Sequence, residues 1–212
     1  MIKISLLKFY LLTFILSISL YSVGNTENEF PLDPAITYGK LENGFTYYIR
    51  ENQTPKDKVS IKLIIKAGSI MEEENQLGLA HLLEHMAFNG SKNFPKRKID
   101  EYMSSIGLNI GSHYNASVGF LKTNYVYEIP TNNDDDVEVA LKILTDISKN
   151  LSLEPEAFER ERKIVEEEWR TDIGGSKNYI NEFHKVMFKN SRFNERKPIG
   201  TLDIIQNFKY QD

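Results

Sequence analysis

The chain has 212 residues, of which 41% are hydrophobic and 26% charged, so its composition excludes a disordered chain and its length suffices for one large core or two small ones. The formal net charge is −4 at pH 7, which provides no basic surface for nucleic acid, and a nucleic-acid partner is not predicted. Because the chain has no cysteine, it forms no disulfide bonds, and any metal must be held by histidine and carboxylate side chains.

Residues 1–24 are interpreted as a secretory signal peptide. Lys3 and Lys8 lie near the start, an apolar run extends from Phe9 to Val23, and small residues precede a cleavage site before Asn25. The alternative is an uncleaved anchor, but the run is shorter than the ~20 apolar residues that a spanning helix needs. We therefore expect an exported protein, in the periplasm or cell envelope or secreted, without a stable membrane span after cleavage.

A polar linker is predicted at residues 25–36, and a domain at 37–212. The first predicted strands are Phe45–Glu51, after the turn at Asn43-Gly44, and Val59–Gly68, in which apolar and polar residues alternate. This period of two predicts a sheet that is packed on one face and wetter on the other, hence antiparallel or mixed.

Helices and strands continue to alternate in the middle of the chain. A helix closed by Asn89-Gly90 and a second at about Ile99–Ile106 precede two predicted strands, residues 110–119 and 120–130. The polar run Thr131–Asp136 is interpreted as a turn and helix N-cap, with a metal loop as the alternative, because an amphipathic helix follows directly.

The last third of the chain is predicted to be helical. A long helix starts near Pro155 and ends at Gly174-Gly175, a further helix covers about Lys177–Lys189, and a short one is capped by Thr201. This order of elements predicts an α+β fold in which helices cover an antiparallel or mixed sheet.

The stretch GLAHLLEHMAFNG carries two histidines and a glutamate on an otherwise apolar helix. At about 100° per residue, the side chains of His81, Glu84 and His85 fall within about 100° of one another. Apolar residues in every other direction predict a buried helix, in which unpaired polar groups would cost ~1–3 kcal/mol each. Two imidazoles at i and i+4 can bind one divalent metal ion, with the glutamate placed to accept a proton. The alternative is a pair of hydrogen-bonded core histidines.

A third metal ligand is expected on the helix FERERKIVEEEWR. Glu161 and Glu168 project into its apolar sector, together with Phe158, Ile164, Val165 and Trp169. Carboxylates on a core face need a cation, so Glu168 is the candidate ligand, with Glu161 behind it or near the substrate. The alternative is pairing with a buried arginine or lysine.

HLLEH (81–85) and ERKIVEEEW (161–169) resemble the inverted zinc motif and the distal-glutamate helix of the pitrilysin/insulinase family of metallopeptidases, the inverzincins. The family includes the mitochondrial processing peptidases. The resemblance extends from about Tyr38 to the end of the chain, and it is greatest to exported bacterial zinc proteases. It implies the α+β fold of the family's N-terminal, zinc-binding domain, with Zn²⁺ as the cofactor and peptide-bond hydrolysis as the activity.

Residue roles also follow from the resemblance. His81, His85 and Glu168 correspond to the zinc ligands, Glu84 to the general base that acts on the zinc-bound water, and Glu161 to a supporting acid. The YNAS segment resembles the family's edge strand, in which Asn115 and Ala116 lie against an extended peptide substrate.

Two departures from the family pattern are expected to matter. His85 and Glu168 are 83 positions apart (168 − 85), somewhat more than the family spacing, which suggests a small insertion in the loop of Asn132–Asp136. Family members also have two homologous αβ halves, and this chain resembles part of the first. A second half, in the same longer chain or a partner subunit, is therefore an expected partner.

The alternative function is a zinc-binding but catalytically incomplete half-domain that serves as a peptide-binding or assembly subunit. A purely structural zinc site would require four protein ligands, but only three side chains converge. His113 and His184 are expected to lie elsewhere.

Overall fold

The computed structural model describes residues 31–172 and 176–210. The predicted signal peptide, residues 25–30 of the linker and the predicted helix end at Gly174-Gly175 lie outside the described residues. The chain divides into two compact units, residues 1–53 and 54–212. In the part of the chain that the structure describes, no helix combines the length and the apolar character needed to cross a membrane.

The described part of the first unit is a β-hairpin. Strands β1 (Ile36–Lys40) and β2 (Thr46–Arg50) pair in antiparallel register. At the predicted turn, the Phe45 N–H donates to Oδ1 of Asn43 at 3.0 Å, and Gly44 has a φ of 88°, a conformation that favours glycine. Strand β1 was not predicted, because its five residues contain a glycine and show no sustained alternation.

A three-stranded antiparallel sheet forms the centre of the second unit. Its strands are β3 (Lys58–Ile65), β4 (Tyr114–Val118) and β5 (Thr123–Pro130), in the order β3-β5-β4. Alternate residues of β5 are buried, so the prediction of an antiparallel sheet with one packed face is confirmed.

Helices complete this unit and give it the predicted α+β architecture. They are a 3-10 turn (Ser69–Met71), α1 (Leu79–Met86), α2 (Lys98–Ser105), α3 (Asp134–Lys149), α4 (Pro155–Asp172), α5 (Ser176–Met187), α6 (Arg192–Glu195) and α7 (Leu202–Asn207). The four-residue α6 was not predicted, since one turn carries no periodic signal.

The predicted N-cap of α3 is confirmed. Oδ1 of Asn133 accepts a hydrogen bond from the Asp135 N–H at 3.2 Å, and three aspartates occupy the first turn. Three residues separate β5 from α3, and the small insertion expected in this region stays a prediction. Thr201 occupies the N-cap of α7, but its side chain makes no capping hydrogen bond.

The hydrophobic residues of the second unit form two clusters. One lies between the sheet and helices α2 and α3. The other joins α1 to α4 and α7, and its buried members are Leu82, Met86, Ala157, Phe158, Val165, Ile205 and Phe208. This second cluster fixes the two helices that carry the predicted metal ligands.

Two predictions of core residues are wrong. Leu83 is 44% exposed, so α1 is not buried on every side, and Ile164 is 42% exposed rather than part of the core face of α4. Leu83 and Ile164 belong to neither hydrophobic cluster, so each helix buries a narrower stripe than its composition suggested.

Candidate metal centre

Helix α1 presents the predicted motif beside a buried apolar stripe. Leu82 is fully buried and Met86 nearly so, both in the cluster shared with α4. His81 and His85 lie one residue before each of them and are therefore displaced by about 100° around the helix. Their rings meet edge to face with centroids 4.8 Å apart, so the local helical register brings both imidazoles to the same side.

Helix α4 brings Glu168 to these two imidazoles. Oε2 of Glu168 lies 3.5 Å from Nε2 of His81 and 3.5 Å from Nε2 of His85. In a tetrahedral site with zinc–ligand bonds of about 2.0–2.2 Å, two ligand atoms stand about 3.3–3.6 Å apart. The two observed separations match that edge length, so Glu168 stands at the distance from each imidazole that a shared zinc ion would require.

Glu84 lies beside this group but farther from Nε2 of His85 than Glu168 does. Its Oε2 is 3.9 Å from Nε2 of His85, and one ligand atom each of His81, Glu84 and His85 lie within 4.8 Å of one another. Glu84 and Glu168 thus both approach the histidines, and Glu168 stands at equal distance from the two. Burial raises the pKa of Glu84, and the charge of Glu168 adds to this effect although that of His85 opposes it.

Glu161 contacts the opposite nitrogen of His85. Its Oε2 lies 3.4 Å from Nδ1 of His85, and its side chain is 10% exposed. Burial lowers the pKa of His85, but the hydrogen bond to Glu161 and the neighbouring carboxylate charges outweigh this, so the pKa lies above its ordinary value. A carboxylate on Nδ1 keeps the proton there and leaves the Nε2 lone pair free for a metal.

Asn89 and Arg160 surround Glu161. Burial raises the pKa of Glu161, but hydrogen bonds to His85 and Asn89, with the charges of His85 and Arg160, more than offset it and hold the pKa below its ordinary range. Asn89 also donates to the carbonyl of His85 at 3.0 Å, and Arg160 donates to Oδ1 of Asn89. This network links the end of α1 to α4.

Among the described residues, the imidazole of His81 has no counterpart to the contact that Glu161 makes with Nδ1 of His85. Its buried Nδ1 atom has no hydrogen-bond partner among the described residues. Burial and the nearby His85 lower the pKa of His81 to about 4, so this imidazole is neutral at pH 7, the form that binds a metal ion.

The remaining predicted positions lie on other elements. Asn115 and Ala116 are on β4, an outer strand of the three-stranded sheet, opposite Val126 and Tyr125 of β5. Asn115 is exposed and Ala116 half-buried, and β4 packs against α1. The strand that carries both residues thus adjoins the motif helix.

His113 and His184 have other neighbours. The ring of His113 accepts a hydrogen bond from the Asn109 N–H at 3.1 Å. His184 lies among aromatic rings, with Phe188 at a centroid distance of 5.3 Å and Phe120 at 6.4 Å.

The family described as Insulinase (Peptidase family M16) matches residues 47–196. The chain belongs to this family. A probable zinc protease, PqqL, of Haemophilus influenzae is 37% identical over 179 residues, which cover 84% of this chain and 19% of that protein.

Solved structures of family members agree with the fold. The first half of the periplasmic protease PqqL from Escherichia coli has a TM-score of 0.82 at 32% identity, and the match covers 85% of this chain and 39% of that half. A protease from Helicobacter pylori has a TM-score of 0.73 at 26% identity, over 84% of this chain and 41% of the other. The chain thus spans about a fifth of the length of the curated M16 relative from Haemophilus influenzae.

Sequence reasoning did not single out Arg160 as part of the network, and Asn89 was predicted only as a helix terminator. Neither position carried a signal in a single sequence, because an exposed arginine and a terminal asparagine are ordinary features of helices.

Proposed function

We propose that this chain is the zinc-binding part of a zinc-dependent metalloendopeptidase that hydrolyses peptide bonds in extended oligopeptides. The observation that carries the proposal is the equal separation of 3.5 Å between Oε2 of Glu168 and the Nε2 atoms of the two histidines. A two-histidine, one-carboxylate set is a donor set of catalytic zinc, since it leaves one position open. Membership of the M16 peptidase family supports the same reading.

In this proposal His81, His85 and Glu168 hold the zinc ion. When bound, zinc supplies Lewis acidity that polarises the scissile carbonyl and lowers the pKa of water. The Glu84 carboxylate accepts a proton from the attacking water. Its burial suits this role, because a carboxylate with a raised pKa is a better base near neutral pH. Glu161 orients the imidazole of His85 through Nδ1.

The peptide is proposed to bind along β4. Among the described strands, β4 is an outer strand of the sheet and pairs with β5, and apart from the bridge between Tyr114 and Ile110 no other strand lies along its outer edge. An extended peptide can add there as a further strand, with Asn115 and Ala116 against it, and bind through backbone hydrogen bonds. Substrates that carry N-methylated backbone amides, which lack the donors, should then be cleaved more slowly than their unmodified counterparts.

The test of the proposed chemistry is Glu84→Gln, since glutamine keeps the shape but cannot accept the proton. We expect this variant to retain one zinc by elemental analysis and to lose hydrolysis of a quenched fluorescent peptide. Glu167→Gln, a change at an exposed position of α4, is the matched control and should leave both properties unchanged. Normal turnover in the Glu84 variant would refute the assignment.

A second candidate is a zinc-binding but catalytically incomplete half-domain that binds peptides or assembles with a partner. The match covers 39% of the PqqL first half, so substrate-binding groups in the rest of that protein have no counterpart among the aligned residues. If the chain binds zinc and extended peptides without cleaving them, and cleavage appears only when the remaining region of a longer protein or a partner subunit is supplied, this candidate is the correct one.

Export to the periplasm, the cell envelope or the medium is proposed from the predicted signal peptide at residues 1–24. The relative from Escherichia coli is described as a periplasmic protease, which supports the proposal. N-terminal sequencing of the protein recovered from the cell envelope should start at Asn25, whereas a start at Met1 would indicate an uncleaved anchor.

A further inference from the structure

Helix α1 begins without a cap of its own. Its N-cap residue, Gly78, has a φ of 97° and no side chain, so the first N–H groups of the helix need an external acceptor. Glu72 supplies it: Oε2 accepts from the Gly78 N–H at 3.0 Å, and Oε1 accepts from the Ala80 N–H at 2.8 Å. The second of these donors directly precedes His81, so the carboxylate holds the turn from which the motif starts.

Glu72 is itself fixed from a distant part of the chain. The residue is 5% exposed, and its carbonyl accepts hydrogen bonds from Nε of Arg196 and Nη2 of Arg192, both at 2.9 Å. The hydroxyl of Ser69 donates to the carbonyl of Arg196 at 2.6 Å. Arg196 is 3% exposed, so this contact is part of the interior.

A close backbone contact closes the same region. A Cβ on Gly200 would lie 2.4 Å from the carbonyl oxygen of Leu77 and 2.6 Å from Cα of Gly78. The backbone after α6 therefore lies directly against the start of α1, where no larger residue fits. The start of the motif helix is thus bound by the carboxylate of Glu72 and packed directly against the backbone at Gly200.

We propose that Glu72, held by Arg196, is a positioning residue for the metal centre. Its carboxylate sets the axial position and rotation of the first turn of α1, and so determines where Nε2 of His81 stands relative to Glu168. The inference rests on the zinc site of the proposed function. Metal–ligand distances tolerate deviations of about 0.2 Å, and a small displacement of an eight-residue helix is enough to exceed that limit.

The experiment compares variants of the full chain by zinc affinity, measured in competition with a chromophoric chelator, and by the visible spectrum after cobalt substitution. Glu72→Ala removes both acceptors, and we expect zinc affinity to fall by about 10–100-fold, as for other outer residues of metal sites. Glu72→Gln retains one acceptor oxygen, so it should show a smaller loss and partial rescue of the cobalt spectrum. It also carries the test if the alanine variant does not fold.

Two controls separate positioning from general stability. Glu73→Gln changes an exposed neighbour and should leave affinity and spectrum unchanged. Tyr102→Phe removes a hydrogen bond of 2.6 Å to Asp136 in the other hydrophobic cluster, so it should lower thermal stability without changing zinc affinity.

The results distinguish this inference from the proposed function. A folded Glu72→Gln variant with the zinc affinity and cobalt spectrum of the wild type would overturn the inference alone, as would an equal loss in Tyr102→Phe. A folded wild-type chain that binds no zinc would overturn both. A loss graded from alanine to glutamine, with both controls unchanged, supports the positioning role.

Discussion

Replacing Glu161 should weaken zinc binding although this residue is not a proposed ligand. The substitution Glu161→Ala removes the acceptor that stands 3.4 Å from Nδ1 of His85. The imidazole then loses the contact that fixes its tautomer and its orientation, and Nδ1 is left without this partner in a site where the His85 side chain is only 16% exposed.

The expected magnitude follows from the geometry. Loss of an outer carboxylate on a metal-binding histidine typically lowers metal affinity by about 10–100-fold, or about 1.4–2.7 kcal/mol. The separation of 3.4 Å is longer than the usual ~2.7–3.2 Å of an N–H···O hydrogen bond, which indicates a weak contact. We therefore expect the lower end of this range, about a tenfold loss. Glu161→Gln keeps an acceptor oxygen and should lose less.

The assay is zinc competition with a chromophoric chelator at a fixed pH, with Glu159→Ala as the control. Glu159 lies on the same helix, and its side chain is 58% exposed. The reasoning would be refuted if Glu161→Ala bound zinc as tightly as the wild type, or if the control lost as much affinity.

Three further predictions concern stability, each measured by urea unfolding followed by circular dichroism. Leu82→Ala leaves a cavity at a fully buried position between α1 and α4 and should cost about 2–5 kcal/mol; a loss below about 1 kcal/mol would contradict the packing described. Asn133→Ala removes the side-chain cap of α3 and should cost about 1 kcal/mol, whereas Asn132→Ala should have little effect. Burial raises the pKa of Asp146, but hydrogen bonds from Asn150, Ser91 and Asn93 outweigh it and leave the pKa below its ordinary value. The carboxylate therefore stabilises the fold above the unfolded-state pKa of about 3.9, and this contribution is lost as the pH falls through the folded-state pKa. Asp146→Asn should accordingly be less stable than the wild type at pH 7, with a difference that shrinks in acid; a difference independent of pH would refute the assignment.

Local periodicity determined much of this protein from the sequence alone. The spacing of His81, Glu84 and His85 places three polar side chains on one helix face whatever the rest of the chain does, because about 3.6 residues complete each turn. The alternation in β3 and the capping sequence before α3 are local in the same sense, and the structure has both elements. These features depend on neighbours within a few residues.

The meeting of distant segments was decided by tertiary structure. Glu168 lies 83 positions after His85 (168 − 85), and its approach to the histidines depends on the packing of Leu82 and Met86 against α4. Ile164 is exposed although a helical wheel places it on the predicted core face of α4, so an apolar residue on that face can lie outside the contact between two packed helices. Glu72 gave no sign of its role in the sequence, because Arg196, whose side chain donates to the carbonyl of Glu72, lies 124 positions later. The sequence pattern of a helix predicts the direction in which each side chain points from the helix axis. Which side chains of two different helices meet is determined only by how the helices pack in the folded chain.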